Sequence, residues 1–248
     1  MGAIDRTSAG LCAQVLSVGA LAHADRDAMY DLFARYYGGA ARAQFDADLA
    51  AKYATVLLTA GDRVVGFSTI GRSRHDHKGQ PVEAVFSGDT VVEREYWGEQ
   101  LLSQALLGEF GRLAATIAPV PLYWLMIVMS QRTYRVMTTF AHHSVPRADT
   151  AANDPVLSLR DRIALDLFGT DYDRATGIVR FAAAQGNLIE QYAEPTEREL
   201  RLKHVAYFHQ ANPGFRQGDE LACLCRLTPD NLRKVPRRWF EQGMARSG

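Results

Sequence analysis

The chain of 248 residues carries 28 Lys plus Arg against 28 Asp plus Glu, so no net field draws it to a phosphate backbone or an anionic membrane surface, and neither nucleic acid nor a membrane is an expected partner. Its 47% hydrophobic and 23% charged residues are ordinary for a globular chain and argue against disorder. The most apolar run, residues 120–129, is too short to span a bilayer, and the first residues lack the basic start and apolar core of a secretory signal, so a cytoplasmic protein is expected.

Met29, Leu32, Phe33 and Tyr36 recur at helical spacing, and Phe45, Leu49 and Tyr53 repeat the signal after Gly38-Gly39, which predicts two amphipathic helices. Residues 55–59 and 64–70, joined across Gly61-Asp62, read as a tight β-hairpin. The polar stretch 72–80, with His75-Asp76-His77, reads as a loop. A third strand is predicted over 82–92, interrupted at Ser87-Gly88-Asp89. Leu101, Leu102, Ala105, Leu106, Phe110 and Leu113 share one face of a long helix over about 96–116, which Pro119 and Pro121 end. The continuously apolar residues 122–129 fit a strand buried on both faces, followed by a helix over 132–141. The strands at 82 and 122 are then parallel, with the long helix as their crossover.

Beyond residue 148 the pattern is less regular: a helix over 155–168, a strand over 177–181, a helix over 196–209, a turn at Asn212-Pro213-Gly214, a strand over 220–227 and a polar helix from about 229. Residues 1–148 are expected to form a core, and 149–248 an α+β extension that packs on it and completes the same domain. Cys223 and Cys225 alternate with apolar residues as same-face neighbours on a strand; with Cys12 they lack the two-pair spacing of a zinc site, and reduced thiols are expected.

The order helix, helix, hairpin, strand, long helix, buried strand, helix over residues 25–145 resembles the GNAT acyltransferase superfamily, an α/β fold with a mixed sheet flanked by helices. Segments such as 87–92, Tyr96-Trp97-Gly98, Leu122-Tyr123-Trp124 and Asn212-Pro213-Gly214 are similar to a divergent bacterial group of that kind. The resemblance implies an acyltransferase that moves an acyl group from a thioester to the amine of a small molecule by direct attack. It implies no tightly bound cofactor, but acyl-CoA, or an acyl group on the phosphopantetheine of an acyl carrier protein, as co-substrate. A non-catalytic acyl-CoA or small-molecule binding protein on the same fold is the alternative reading.

By that resemblance the donor's diphosphate lies on the loop Val91, Val92, Arg94, Trp97, Gly98, Glu99 and Gln100, with Arg132 nearby. A helix start offers unpaired N–H groups and a positive dipole end to such a group. Gly98 matches the superfamily's first glycine, whereas Glu95 and Gln100 stand where a basic or amide residue and a small residue are usual. Tyr134 matches the acid that protonates the leaving thiolate, with a packed tyrosine as its other reading. Asp89 is the candidate base, because a carboxyl interrupting a buried strand is desolvated; its other reading is a bulge residue that satisfies backbone amides. His75 is a further catalytic candidate, since it and His77 flank Asp76 in a loop expected over the same cleft and an imidazole suits proton transfer near neutral pH; a solvated loop is its other reading. Ser87, Thr90, Tyr123 and Trp124 are candidate substrate contacts, and no metal is expected, since His75 and His77 have no third ligand at a defined offset.

Overall fold

A computed structural model describes residues 5–6, 10–39, 41–181, 187–188 and 196–246. Among these, nine strands form one sheet in the order β1-β2-β4-β5-β6-β7-β11-β9-β8: β1 (Asp5–Arg6), β2 (Leu11–Ser17), β4 (Ala54–Ala60), β5 (Arg63–His77), β6 (Gln80–Val92), β7 (Leu122–Val128), β8 (Tyr172–Asp173), β9 (Ile178–Val179) and β11 (Glu220–Arg226). A two-stranded ribbon pairs β3 (Tyr37–Gly38) with β10 (Asn187–Leu188). The helices are α1 (His23–Tyr36), α2 (Arg42–Ala50), α3 (Leu101–Ile117), α4 (Gln131–Phe140), α5 (Pro155–Phe168), α6 (Glu197–Leu200), α7 (Lys203–Ala211) and α8 (Lys234–Ala245). None of the described helices is long and apolar enough to cross a membrane.

Alternation along the strands divides the core in two. Val56, Leu58, Val85, Trp124 and Met126 face α3, α7 and α8, and their neighbours Leu57, Ala84 and Leu125 face α1, α2 and α5. Both faces are covered, which is why residues 122–128 are apolar without interruption. As expected, β6 and β7 run parallel with α3 between them. On the far side of β7, β11 pairs antiparallel from Leu221↔Val128 to Arg226↔Tyr123, so residues beyond 148 extend the sheet that the earlier strands begin. Cys223 and Cys225 are buried on β11 as free thiols, and burial pushes the Cys223 thiol up to about 12.

Residues 72–77 are strand, not loop. β5 continues to His77 and returns through Lys78 and Gly79, both at positive φ, the two-residue connection that matches strand twist. Its inward side chains in this stretch are polar, so hydropathy conceals the strand, and α5 supplies their partners. His75 Nδ1 lies 2.7 Å from Asp166 and its Nε2 2.7 Å from Ser73 Oγ. His75 is therefore a buried tie between β5 and α5. The final helix also differs from expectation: it starts at Lys234 and buries Trp239 and Phe240 against α3.

Candidate active-site cleft

The strand pair β6 and β7 is bonded only from Glu83↔Leu122 to Phe86↔Leu125. Past that point the two strands part, because β6 bulges. Thr69 pairs with Gly88 and Phe67 with Val91, so Ser68 alone faces both Asp89 and Thr90, and Asp89 takes a φ of 37°. An L-residue in this region is strained, and Asp tolerates it better than most. Gly88 lets the Phe86 ring approach beside it, since a Cβ there would fall 3.0 Å from that ring. The parted strands leave a cavity of about 670 Å³ that runs from the start of α3 to the first residue of β11.

One end of the cavity is the turn before α3. Gly98 sits at φ 100°, Gln100 precedes α3 in helical conformation, and no side chain caps the helix. Trp97 is fixed by its indole N–H, which donates to the Val92 carbonyl at 2.8 Å, and the Arg132 guanidinium at the start of α4 lies 4.9 Å from its ring centroid. Val91, Val92, Trp97, Gly98, Glu99 and Arg132 all line the cavity. Arg94 and Gln100 do not, and the Arg94 backbone N–H donates to the Tyr36 hydroxyl at 2.9 Å. Glu93 is buried and ion-paired to Arg35 and Arg63, which removes one acidic side chain from the turn.

The other end is acidic. Asp89, on the bulge, is pushed above the usual carboxylate range by burial and then by Asp48, with Lys52 acting against them. Glu220, on β11, is raised by burial and then by the Asp89 charge to about 8. Tyr37 faces the same space, and burial, Glu220 and Asp89 all push its hydroxyl up. Each carboxyl is thus harder to ionise than a free one, and the two titrate as a coupled pair.

Three sequence-based expectations are corrected by position. His75 is in β5 under α5, away from the cavity. Tyr123 lies on the bonded stretch of β7 opposite Ala84 and packs toward α5, on the face opposite Trp124. Tyr134 is buried with its hydroxyl donating to the Pro146 carbonyl at 2.9 Å, so it faces the sequel of α4 rather than the cleft. Tyr134→Phe removes a hydroxyl that does not reach the cleft. It should lower stability by about 1–2 kcal/mol in denaturant titration, because a buried carbonyl loses its donor.

Ser87 and Trp124 do line the cavity, joined by an indole N–H donating to Ser87 Oγ at 2.8 Å, and Thr90 Oγ1 lies 2.7 Å from Ser68 Oγ. Sequence reasoning missed Glu220, Tyr37, Asp48 and Lys52. The available signal for Glu220 was its place as the carboxyl that directly precedes the apolar run 221–225.

The bulged strand, parted strand pair and crossover helix belong to an α/β fold with a mixed sheet flanked by helices, the fold class that the sequence implies. A structure from Enterococcus faecalis, described as a probable N-acyltransferase, is similar at TM-score 0.40 and 16% identity over 55% of this chain and 35% of its own. A GCN5-related N-acetyltransferase from Kribbella flavida is similar at TM-score 0.39 and 16% identity over 56% and 36%. The GNAT family N-acetyltransferase YhbS of Escherichia coli, in complex with CoA, is similar at TM-score 0.38 and 16% identity over 55% and 72%. The chain thus spans about a third of the length of the first two. No protein-family model and no curated protein matches it.

Proposed function

We propose that the protein is an N-acyltransferase that takes an acyl group from a pantetheine thioester and gives it to the primary amine of a small molecule. The observation that carries this reading is one continuous cavity between parted strands, with a helix start and Arg132 at one end and two desolvated carboxyls, Asp89 and Glu220, at the other. Past Phe86 and Leu125 the facing backbone edges of β6 and β7 are not bonded to each other. They offer N–H and C=O groups to a pantetheine arm, and an N–H of the 126–129 stretch to the thioester oxygen.

The chemistry then needs no covalent enzyme intermediate. The acceptor enters as an ammonium ion, drawn by the Asp89 carboxylate. Its charge favours release of the Glu220 proton to solvent, and the carboxylate so formed accepts one ammonium proton. The freed amine attacks the thioester carbon, forming the C–N bond as the carbonyl oxygen becomes an oxyanion at the β7 amides. Collapse of that intermediate breaks the C–S bond. The thiolate leaves toward Arg132 and the α4 N-terminus, whose dipole favours negative charge, and takes up the proton that the new amide nitrogen releases.

The donor is either acyl-CoA or a carrier-held acyl pantetheine. Arg132 and the uncapped start of α3 suit a diphosphate, while the exposed Glu95 and Glu99 oppose one and favour a donor without it. Calorimetry with acetyl-CoA and with an acetylated carrier protein tests this directly. One of them is expected to bind, and Arg132→Ala to weaken acetyl-CoA about tenfold through a lost charge-assisted contact. Binding to neither would replace this reading with that of a non-catalytic small-molecule binding protein.

A further inference from the structure

The acidic end of the cavity is also its aromatic end. Phe86 of β6, Phe168 at the end of α5 and Phe181 just after β9 form a ladder of edge-to-face rings, with centroids 5.7 Å and 6.0 Å apart. These rings and that of Tyr37 line the cavity, and all four residues are half-buried, so they leave ring surface open where the core aromatics do not. The ladder adjoins the carboxyls at both of its ends. The Phe86 ring lies against Gly88, next to Asp89 in the bulge, and Glu220 pairs with Val179, two residues before Phe181. Asp48 and Lys52 of the α2 end also line the cavity, and the Lys52 ammonium lies 5.3 Å from the Phe86 ring centroid.

Partly open ring surface beside two desolvated carboxyls is selective. An amino sugar would strip its hydroxyls of water against the rings without partners for them, and a polyamine would bring a further cation toward Lys52. A single ammonium on a flat apolar body has no hydroxyls to desolvate and brings only one charge toward Lys52. Its body stacks on the rings, and its charge lies with the carboxyls.

We propose that the acceptor is an arylalkyl primary amine whose ring is held among Phe86, Phe168 and Phe181 and whose ammonium group lies at Asp89 and Glu220. This rests on the acyl-transfer reading above and deepens it. Phe168, Phe181 and Glu220 all follow residue 148, so the later part of the chain sets the choice of acceptor.

Calorimetry on the full chain without donor, using phenethylamine, spermidine and glucosamine, tests the proposal. Phenethylamine is expected to bind at least about tenfold more tightly than the other two. Phe168→Leu and Phe181→Leu, which keep apolar volume and remove the ring face, should each weaken it about fivefold or more, with donor affinity unchanged. Circular dichroism identifies a variant that fails to fold, and the other variant then decides. Equal affinity for the three amines, or phenethylamine binding indifferent to the folded variants, overturns the proposal. Ring-dependent phenethylamine binding without acylation by either donor sinks the transferase reading and leaves this one standing, whereas acylation of a different amine class does the reverse.

Discussion

Glu220→Gln is expected to lower kcat/KM for acyl transfer by about 10²-fold or more, the usual cost of removing a positioned base, and to raise thermal stability at alkaline pH. Both effects have one cause. Burial and the Asp89 charge lift the Glu220 carboxyl from 4.5 to about 8. In the free enzyme the base is then protonated at neutral pH, and kcat/KM should rise with pH through about 8 and level off. An alkylammonium substrate titrates near lysine's range, about 10, so its own inflection is separable. The variant should lack the inflection near 8. Asp89→Asn should move it to lower pH, because it removes the charge that is the second cause of the shift; Asn also tolerates the positive φ at this position.

The stability sign follows from proton counting. Between pH 4.5 and about 8 the folded chain holds a Glu220 proton that the unfolded chain has released, so stability falls as pH rises through that window. Gln does not titrate. At pH 9 the variant should melt at least about 3 °C above the parent, the shift expected for roughly 1 kcal/mol in a chain of this size. A variant that loses activity but melts no higher at pH 9 would show that Glu220 is not held in a desolvated, raised state.

The parts of this site that the sequence revealed are those where hydropathy and backbone demand coincide. The interruption Ser87-Gly88-Asp89 in an apolar strand could be read as a bulge because polar residues there make no sense in a regular buried strand, and the long amphipathic α3 between two apolar runs fixes the parallel pair by handedness. What escaped was determined by partners distant in sequence. The inward residues of β5 beyond Gly71 are polar, and only Asp166 on α5 explains why Ser73 and His75 are inward at all. Tyr134 stands at the right offset after β7, yet which way its hydroxyl points depends on the Pro146 carbonyl, twelve residues on. Glu220 is an ordinary glutamate until β11 pairs with β7 and brings it beside a bulge more than a hundred residues earlier.

Gly111→Ala and Gly108→Ala, three residues apart on α3, are expected to differ in stability by about 3 kcal/mol or more. α8 crosses α3 at backbone contact. A Cβ on Gly111 would overlap the Phe240 carbonyl, and one on Gly243 would overlap the carbonyl of Gly108, whereas a Cβ on Gly108 itself meets nothing nearer than the Trp239 carbonyl oxygen at 3.9 Å. Backbone cannot rotate away as a side chain can. Relief at Gly111 requires α8 to move off, and α8 carries Trp239, 3% exposed, and Phe240, 1% exposed, into the core shared with α3, while Trp239 stands edge-to-face on Phe140 at 6.1 Å. Gly111→Ala should therefore cost about 3 kcal/mol or more, at the upper end for overpacking. Gly108→Ala should be neutral or gain up to about 1 kcal/mol, since alanine removes the conformational freedom of glycine in a helix interior without a clash. Chemical denaturation of the two variants decides the matter. Equal losses would mean that the α3–α8 crossing does not distinguish the two positions, and a stable Gly111→Ala would show that α8 does not approach as closely as its buried Trp239 and Phe240 require.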